Sequence, residues 1–166
     1  MNNVLIFAGG SGSRINSRAR PKQFLHFYGK ELIIHTIENF QNHNEIDNIV
    51  IVCIKEWISY LEKILVKFGI DKVSKIVPGG STGQESIYNG LFAIKENSGK
   101  DDIVLVHDGV RPFVNENLIS NCIKMVKEKG SAITVTPAIE TIVTLENGKI
   151  ETITDRSTCY HAKAPQ

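Results

Sequence analysis

The chain lacks long hydrophobic runs, an excess of charge of one sign and an even set of cysteines, and each lack removes a class of protein. Its longest near-continuous apolar run, residues 49–54, is far too short to cross a bilayer. The apolar opening over residues 4–8 has no basic leader and runs straight into glycines, so it does not read as a signal peptide. Lysine and arginine number 19 against 18 acidic residues, a net charge of +1 with neutral histidines. That balance gives no global field for nucleic acid or an anionic membrane, so any bound anion needs a local arrangement. The three cysteines, Cys53, Cys122 and Cys159, show no CxxC spacing. They read as buried free thiols rather than a disulfide or metal set, which fits a reducing cytoplasm.

What is present is ordinary globular usage: 166 residues, 42% apolar, 22% charged and 7% aromatic. At about 150 residues per domain this is a single domain over 1–166, long enough for one real core. Short β-branched runs alternate with amphipathic stretches. Strands are expected over 4–8, 48–54, 73–77, 102–107 and 132–137, and helices over 32–40, 57–68, 82–95 and 115–128. Such alternation predicts an α/β, Rossmann-like fold: a mainly parallel sheet covered by helices on both faces. Ligands in such sheets sit beyond the carboxyl ends of the strands, which singles out the loops at 9–21, 78–82 and 108–112. After Pro137 the texture changes to a hairpin, 141–145 and 150–154 around an Asn147-Gly148 turn, within a protruding arm over about 138–155. A lone two-stranded hairpin is marginal in water, so it packs on another subunit or lies over the site.

The strongest local signal is Ala8-Gly9-Gly10-Ser11-Gly12-Ser13-Arg14, followed by Pro21-Lys22-Gln23-Phe24. Three glycines in four positions after a strand let backbone N–H groups approach an oxyanion. Arg14 can fork onto phosphate oxygens, and Lys22 adds a point charge. A solvated glycine loop with two cations is the bland alternative. Two familiar phosphate loops fail: the dinucleotide fingerprint meets Ile15 where its third glycine belongs, and no Gly-Lys-Ser/Thr follows for a Walker loop. The spacing matches a nucleotidyltransferase signature instead. His107-Asp108 ends an apolar strand and so delivers Asp108 to the sheet edge, while Pro112 stiffens the turn that carries Arg111. An Asp108 cap and an Arg111 ion pair are the structural alternatives. His107 reads as a strand-end structural histidine, Trp57 and Tyr60 as helix packing, and Arg18 and Arg20 as solvated or phosphate-steering cations.

Taken in order, these motifs resemble the family of 2-C-methyl-D-erythritol 4-phosphate cytidylyltransferases and the related ribitol 5-phosphate cytidylyltransferases. The resemblance runs over residues 4–166, through the glycine loop, Pro78-Gly79-Gly80 with Ser86, the segment at 106–112, Glu140-Thr141, and Asp155-Arg156 leading to Ala164-Pro165-Gln166. It implies transfer of CMP from CTP to a polyol phosphate with release of pyrophosphate, helped by Mg²⁺ on the triphosphate. It assigns Arg14 and Lys22 to catalysis. Nucleotide binding falls to Ala8, Gly9, Gly10, Gly12, Arg14, Lys22, Gly79, Gly80, Ser86 and Asp108. The acceptor falls to Asp108, Arg111, Thr141 and Arg156, often across a homodimer interface made by the arm. No protein metal ligand is assigned.

Two departures stand beside the match. Many methylerythritol-type members carry an arginine shortly after the Gly-Gly pair, where this chain has Gly83 and Gln84. The family also continues past the position of Gln166 with further helices, a last strand and a phosphate-touching lysine, so the chain reads as a partial sequence. Phe7-Ala8-Gly9-Gly10 leans toward ribitol 5-phosphate as acceptor, and Glu85 before Ser86 leans toward methylerythritol 4-phosphate. A nucleotide-binding subunit without catalysis is the reading from a different class.

Overall fold

The computed structural model describes residues 1–10 and 20–166. Gly12 and Arg14, both expected at the site, lie outside the described residues. The elements follow the expected alternation closely: β1 (Asn2–Ala8), β2 (His26–Phe27), β3 (Lys30–Glu31), α1 (Leu32–Gln41), β4 (Asn48–Cys53), α2 (Ile58–Lys67), β5 (Val73–Pro78), α3 (Gly83–Lys95), β6 (Ile103–Asp108), α4 (Glu116–Lys129), β7 (Val135–Pro137), β8 (Ile142–Glu146), β9 (Lys149–Thr154) and β10 (Tyr160–Ala162).

Four strands form one parallel sheet in the order β5-β4-β1-β6. The strands are apolar on both faces because both are covered. On one face Val4, Ile6, Ile49, Ile51 and Leu105 pack with α1, α2 and α4 through Ile33, Ile37, Phe40, Leu61, Ile119 and Ile123. On the other, Leu5, Val50 and Val52 pack with Ala93 and Ile94 of α3. The period-2 alternation of the strands thus divides one run of apolar residues between two cores. A Cβ on Gly90 would stand 2.2 Å from Leu5 Cδ1 and 2.7 Å from Val52 Cγ2, so α3 lies on the sheet at a distance only glycine permits.

The chain runs outward from β1 to β4 and β5, then returns to the opposite side of β1 as β6. This places the reversal of strand order at the carboxyl end of β1, where ligands bind in sheets of this kind. Local chemistry sets the helix ends. The Thr82 hydroxyl accepts the Glu85 N–H at 3.0 Å, Asn115 Oδ1 accepts the Leu118 N–H at 2.9 Å, and Gly130 closes α4 at φ 86°.

Three features differ from expectation. The strand expected over 132–137 is shorter, and it pairs antiparallel with β10 in a separate two-stranded ladder. The outer side of β6 instead exchanges both backbone hydrogen bonds between Val106 and Gln166, at 2.7 and 3.0 Å. β2 and β3 form a miniature hairpin around Tyr28 and Gly29, both at positive φ. Cys53 and Cys122 are buried and free as expected, and burial pushes the Cys53 thiol up to about 12, but Cys159 is only half-buried. The arm forms as expected, with Asn147 and Gly148 at φ 50° and 76°, the positive values a tight hairpin turn requires.

Candidate nucleotide site

The carboxyl ends of β1, β5 and β6 bring three loops together. Gly9 and Gly79 touch: a Cβ on Gly79 would lie 3.3 Å from the Gly9 Cα, and on either glycine it would lie 3.2 Å from Ser86 Oγ. A Cβ at either position would require its neighbours to give by a few tenths of an ångström. Ser86 pins them from α3, its hydroxyl accepting the Gly80 N–H at 3.0 Å while donating to the Thr82 carbonyl at 2.9 Å. It is 4% exposed. Glu85 accepts from both the Ser81 hydroxyl, at 2.6 Å, and the Ser81 N–H, at 2.7 Å. These bonds hold its carboxyl below the usual range. Around Gly10, by contrast, nothing among the described residues lies within 4 Å of where a Cβ would stand.

Lys22 begins a single 3₁₀ turn, Lys22–Phe24, whose next residue locks it to β1. Gln23 is fully buried, and its Nε2 donates to the Ala8 carbonyl at 2.6 Å and the Gly10 carbonyl at 3.3 Å. Phe24 is buried against Trp57, stacked at 4.7 Å, and meets the Tyr60 ring edge-on. Trp57 and Tyr60 are therefore packing residues, as their helical spacing implies. Arg20 is not simply a solvated cation: its guanidinium lies over the Tyr60 ring, 5.7 Å from the centroid.

At the end of β6, Asp108 and Arg111 pair with each other through Oδ2 and Nε. The turn that carries them is held from beneath by three side chains. Thr36 donates to the Gly109 carbonyl at 3.1 Å, Asn39 to the Pro112 carbonyl at 2.8 Å, and His107 Nε2 to the Arg111 carbonyl at 3.0 Å. A carbonyl can only accept, so His107 carries its proton on Nε2. Burial pushes its pKa down, which keeps the ring neutral. Gly109 approaches β1 closely, its N–H bonding the Phe7 carbonyl at 3.0 Å.

Thr141 and Arg156 lie elsewhere, at the foot of the arm. Both are exposed, and Arg156 donates to the Ile139 carbonyl at 3.0 Å. Thus Ala8, Gly9, Gly10, Lys22, Gly79, Gly80, Ser86 and Asp108 gather around the strand ends, with Arg111 beside them, while Thr141 and Arg156 belong to the arm's base. Sequence reasoning missed Gln23, Thr36 and Asn39 as supports. The signal was available for Thr36, a polar residue on a helix stripe of Ile33, Ile37 and Phe40.

Ala8–Gly10, Gly79–Gly80 and Asp108–Arg111 at one sheet end are the arrangement of a nucleotide-binding α/β domain, and the comparisons name its family. Residues 2–166 match the family model described as IspD, 2-C-methyl-D-erythritol 4-phosphate cytidylyltransferase. The chain belongs to that cytidylyltransferase family. It is accordingly a nucleotidyltransferase. Among its relatives, a ribitol-5-phosphate cytidylyltransferase of Vibrio parahaemolyticus is 50% identical, over 100% of this chain and 70% of that protein. A 2-C-methyl-D-erythritol 4-phosphate cytidylyltransferase of Clostridium botulinum is 38% identical over 99% of this chain and 71% of its own length. The solved structure of a 4-diphosphocytidyl-2C-methyl-D-erythritol synthase from Anaerococcus prevotii superposes with a TM-score of 0.81 at 25% identity. It covers 99% of this chain and 68% of that one.

Proposed function

We propose that the protein transfers CMP from CTP to ribitol 5-phosphate, releasing pyrophosphate. One observation carries the reading. The two glycine loops are packed against each other and pinned by Ser86, leaving backbone groups and Lys22 at the carboxyl end of the sheet. The acceptor phosphate is already a nucleophile, so the protein needs no covalent intermediate and no general base. It must align the acceptor oxygen in line with the α-phosphorus and offset the charge that develops there. Lys22 serves that purpose, and Arg14, which lies outside the described residues, is assigned to it by the sequence motif alone. Ala8, Gly9 and Gly10 face the phosphates, a role the sequence motif extends to Gly12; Gly79, Gly80 and Ser86 shape the pocket for cytosine and ribose. Asp108 and Arg111 meet the acceptor side, with Thr141 and Arg156 brought in by the arm.

Mg²⁺ fits as an ion carried on the triphosphate. Among the described residues there is no cluster of three or more His, Cys, Asp or Glu side chains able to cage a metal, while Asp108 offers one carboxylate at the site. One carboxylate plus substrate phosphates suits a cation that keeps most of its waters. When bound, the ion would neutralise triphosphate charge.

The arm supports a homodimer. Leu145, Ile150 and Ile153 are 62–68% exposed on a two-stranded hairpin whose strands, among the described residues, pair only with each other. Among the described residues no helix is long and apolar enough to cross a membrane, in keeping with a cytoplasmic enzyme.

The ribitol acceptor is preferred because the ribitol-named relative is more similar to this chain than the methylerythritol-named one. The second reading, methylerythritol 4-phosphate, is favoured by the description of the family model. The two acceptors differ by a methyl branch and chain length, and one methyl in a pocket is worth about 1–3 kcal/mol, so some activity on both is expected. Pyrophosphate release measured side by side with CTP and each acceptor decides the matter. A higher kcat/KM for methylerythritol 4-phosphate replaces the ribitol assignment, and equal turnover with ATP or GTP removes the cytidylyltransferase reading.

A further inference from the structure

The segment that carries Lys22 rests on a carboxylate for which the transfer chemistry has no use. Glu31, immediately before α1, is 1% exposed, a rare place for a carboxylate. Its Oε1 accepts the Tyr60 hydroxyl from α2 and lies 3.0 Å from His26 Nε2. Arg20 covers the ring of the same tyrosine, with Nη1 3.5 Å from its hydroxyl. Phe24 stacks on Trp57 and abuts Tyr60. Lys22 is therefore bracketed on both sides along the chain by residues that converge on the Tyr60–Glu31 pair.

Stability alone does not account for Glu31. Its second oxygen, Oε2, is buried with no hydrogen-bond partner among the described residues. Half-satisfied buried charge is costly, and an apolar residue of similar volume is often neutral or stabilising in such a place. Burial raises the carboxyl's pKa, but the hydrogen bond from Tyr60, the backbone and nearby His26 outweigh it and hold the group ionised.

We propose that Glu31 is a positioning residue for nucleotidyl transfer. It fixes Tyr60, and through Tyr60 the segment 20–26, so that Lys22 is presented at one place beside the glycine loops. This rests on the assignment of Lys22 to the transfer step made above.

The test uses Glu31→Leu, Glu31→Gln and Tyr60→Phe with two readouts. The first is pyrophosphate release from CTP and ribitol 5-phosphate. A misplacement of 1 Å in a reacting constellation costs about 100-fold, so Glu31→Leu is expected to lower kcat by about that factor. The KM for the polyol phosphate stays unchanged, and the thermal midpoint is unchanged or raised. Glu31→Gln, which keeps an acceptor for Tyr60, regains part of the loss. Tyr60→Phe matches Glu31→Leu, and the double variant is no worse than either single one.

The second readout needs no turnover. Trp57 is the only tryptophan and stacks on Phe24, so acrylamide quenching of its fluorescence reports whether the cluster stays closed. Quenching is expected to rise in Glu31→Leu and Tyr60→Phe. Unchanged quenching overturns the proposal, as does wild-type kcat in Glu31→Leu or a kcat loss that merely follows a lowered thermal midpoint. If the unaltered protein turns over no polyol phosphate, the proposed function fails, and the quenching comparison still decides whether Glu31 holds the segment.

Discussion

The carboxyl end of the four-stranded sheet and the arm formed by β8 and β9 are built from similar apolar residues and treat them in opposite ways. In the sheet, Val4, Leu5, Ile6, Ile49 and Ile51 are 0% exposed, and the loops above them are tied by buried polar side chains. In the arm, Leu145, Ile150 and Ile153 point outward, and every residue of β8 and β9 is exposed or half-buried. One region has its complement within the same chain. The other presents apolar surface with no complement among the described residues. The site follows the same division: among the described residues, the groups proposed to hold the nucleotide stand at the sheet end, and two of those proposed for the acceptor, Thr141 and Arg156, stand at the foot of the arm. On the proposed reading, the nucleotide is held among loops tied by buried hydrogen bonds, and the acceptor is gripped beside apolar surface that a second copy would cover.

This contrast can be tested most sharply at the rigid end. Lys22→Ala removes a charge from the site without touching the core, and loss of one group that stabilises transition-state charge costs about 10²–10³-fold in kcat. The fold should remain, with an unchanged circular dichroism spectrum. Near-normal turnover would take Lys22 out of the catalytic set.

A change in packing, not chemistry, comes next. Gly90→Ala places a methyl group against the buried Leu5 and Val52 side chains, and such overpacking costs about 1–3 kcal/mol. Better helix propensity returns about 1 kcal/mol, so the net effect should still be a lower urea midpoint. A raised midpoint would mean that α3 is free to shift away from the sheet.

The arm should respond in the opposite sense. Leu145→Ser with Ile153→Ser is expected to change the stability of the separate protomer little, within about 0.5 kcal/mol per exposed site. If the arm makes the proposed homodimer, the same pair of changes should convert it to monomer in sedimentation measurements. An unaltered molar mass would remove the arm from the interface.

The smallest effect is a pH dependence that belongs to the rigid end alone. Burial lowers the His107 pKa in the folded state, so the unfolded chain binds this proton more readily. The stability His107 contributes is therefore present above the unfolded histidine pKa of about 6.5 and is lost as pH falls below it. Thermal midpoints measured from pH 7 down to 5 should fall more steeply for the unaltered protein than for His107→Gln. Parallel slopes would show that His107 is not the group responsible.

The legibility of the fold varied in the same way. The buried strands and amphipathic helices of residues 2–129 could be read within a residue or two, because continuous apolar runs and a 3.6-residue period leave few alternatives. Asn147-Gly148 marked its turn because few residue pairs accept two positive φ values. Less was visible where partners come from far along the chain. Val135–Pro137 leaves the parallel sheet because Tyr160–Ala162 pairs with it, and Gln23 reaches back to Ala8 and Gly10 by a hydrogen bond that no local pattern announces.

The order of elements, the glycine loops, the Lys22 and Asp108–Arg111 motifs and the even balance of charge were set by the sequence alone, since each depends on local conformational preference or on composition. Tertiary structure alone decided which motifs meet. Gly9 touches Gly79 across 70 positions, Thr36 holds the Gly109 carbonyl 73 residues away, and Glu31 gathers His26 and Tyr60 around itself. Contacts of that separation are selected by the packing of helices on a twisted sheet and by the need to satisfy buried polar groups, two conditions that exist only once the chain has closed on itself.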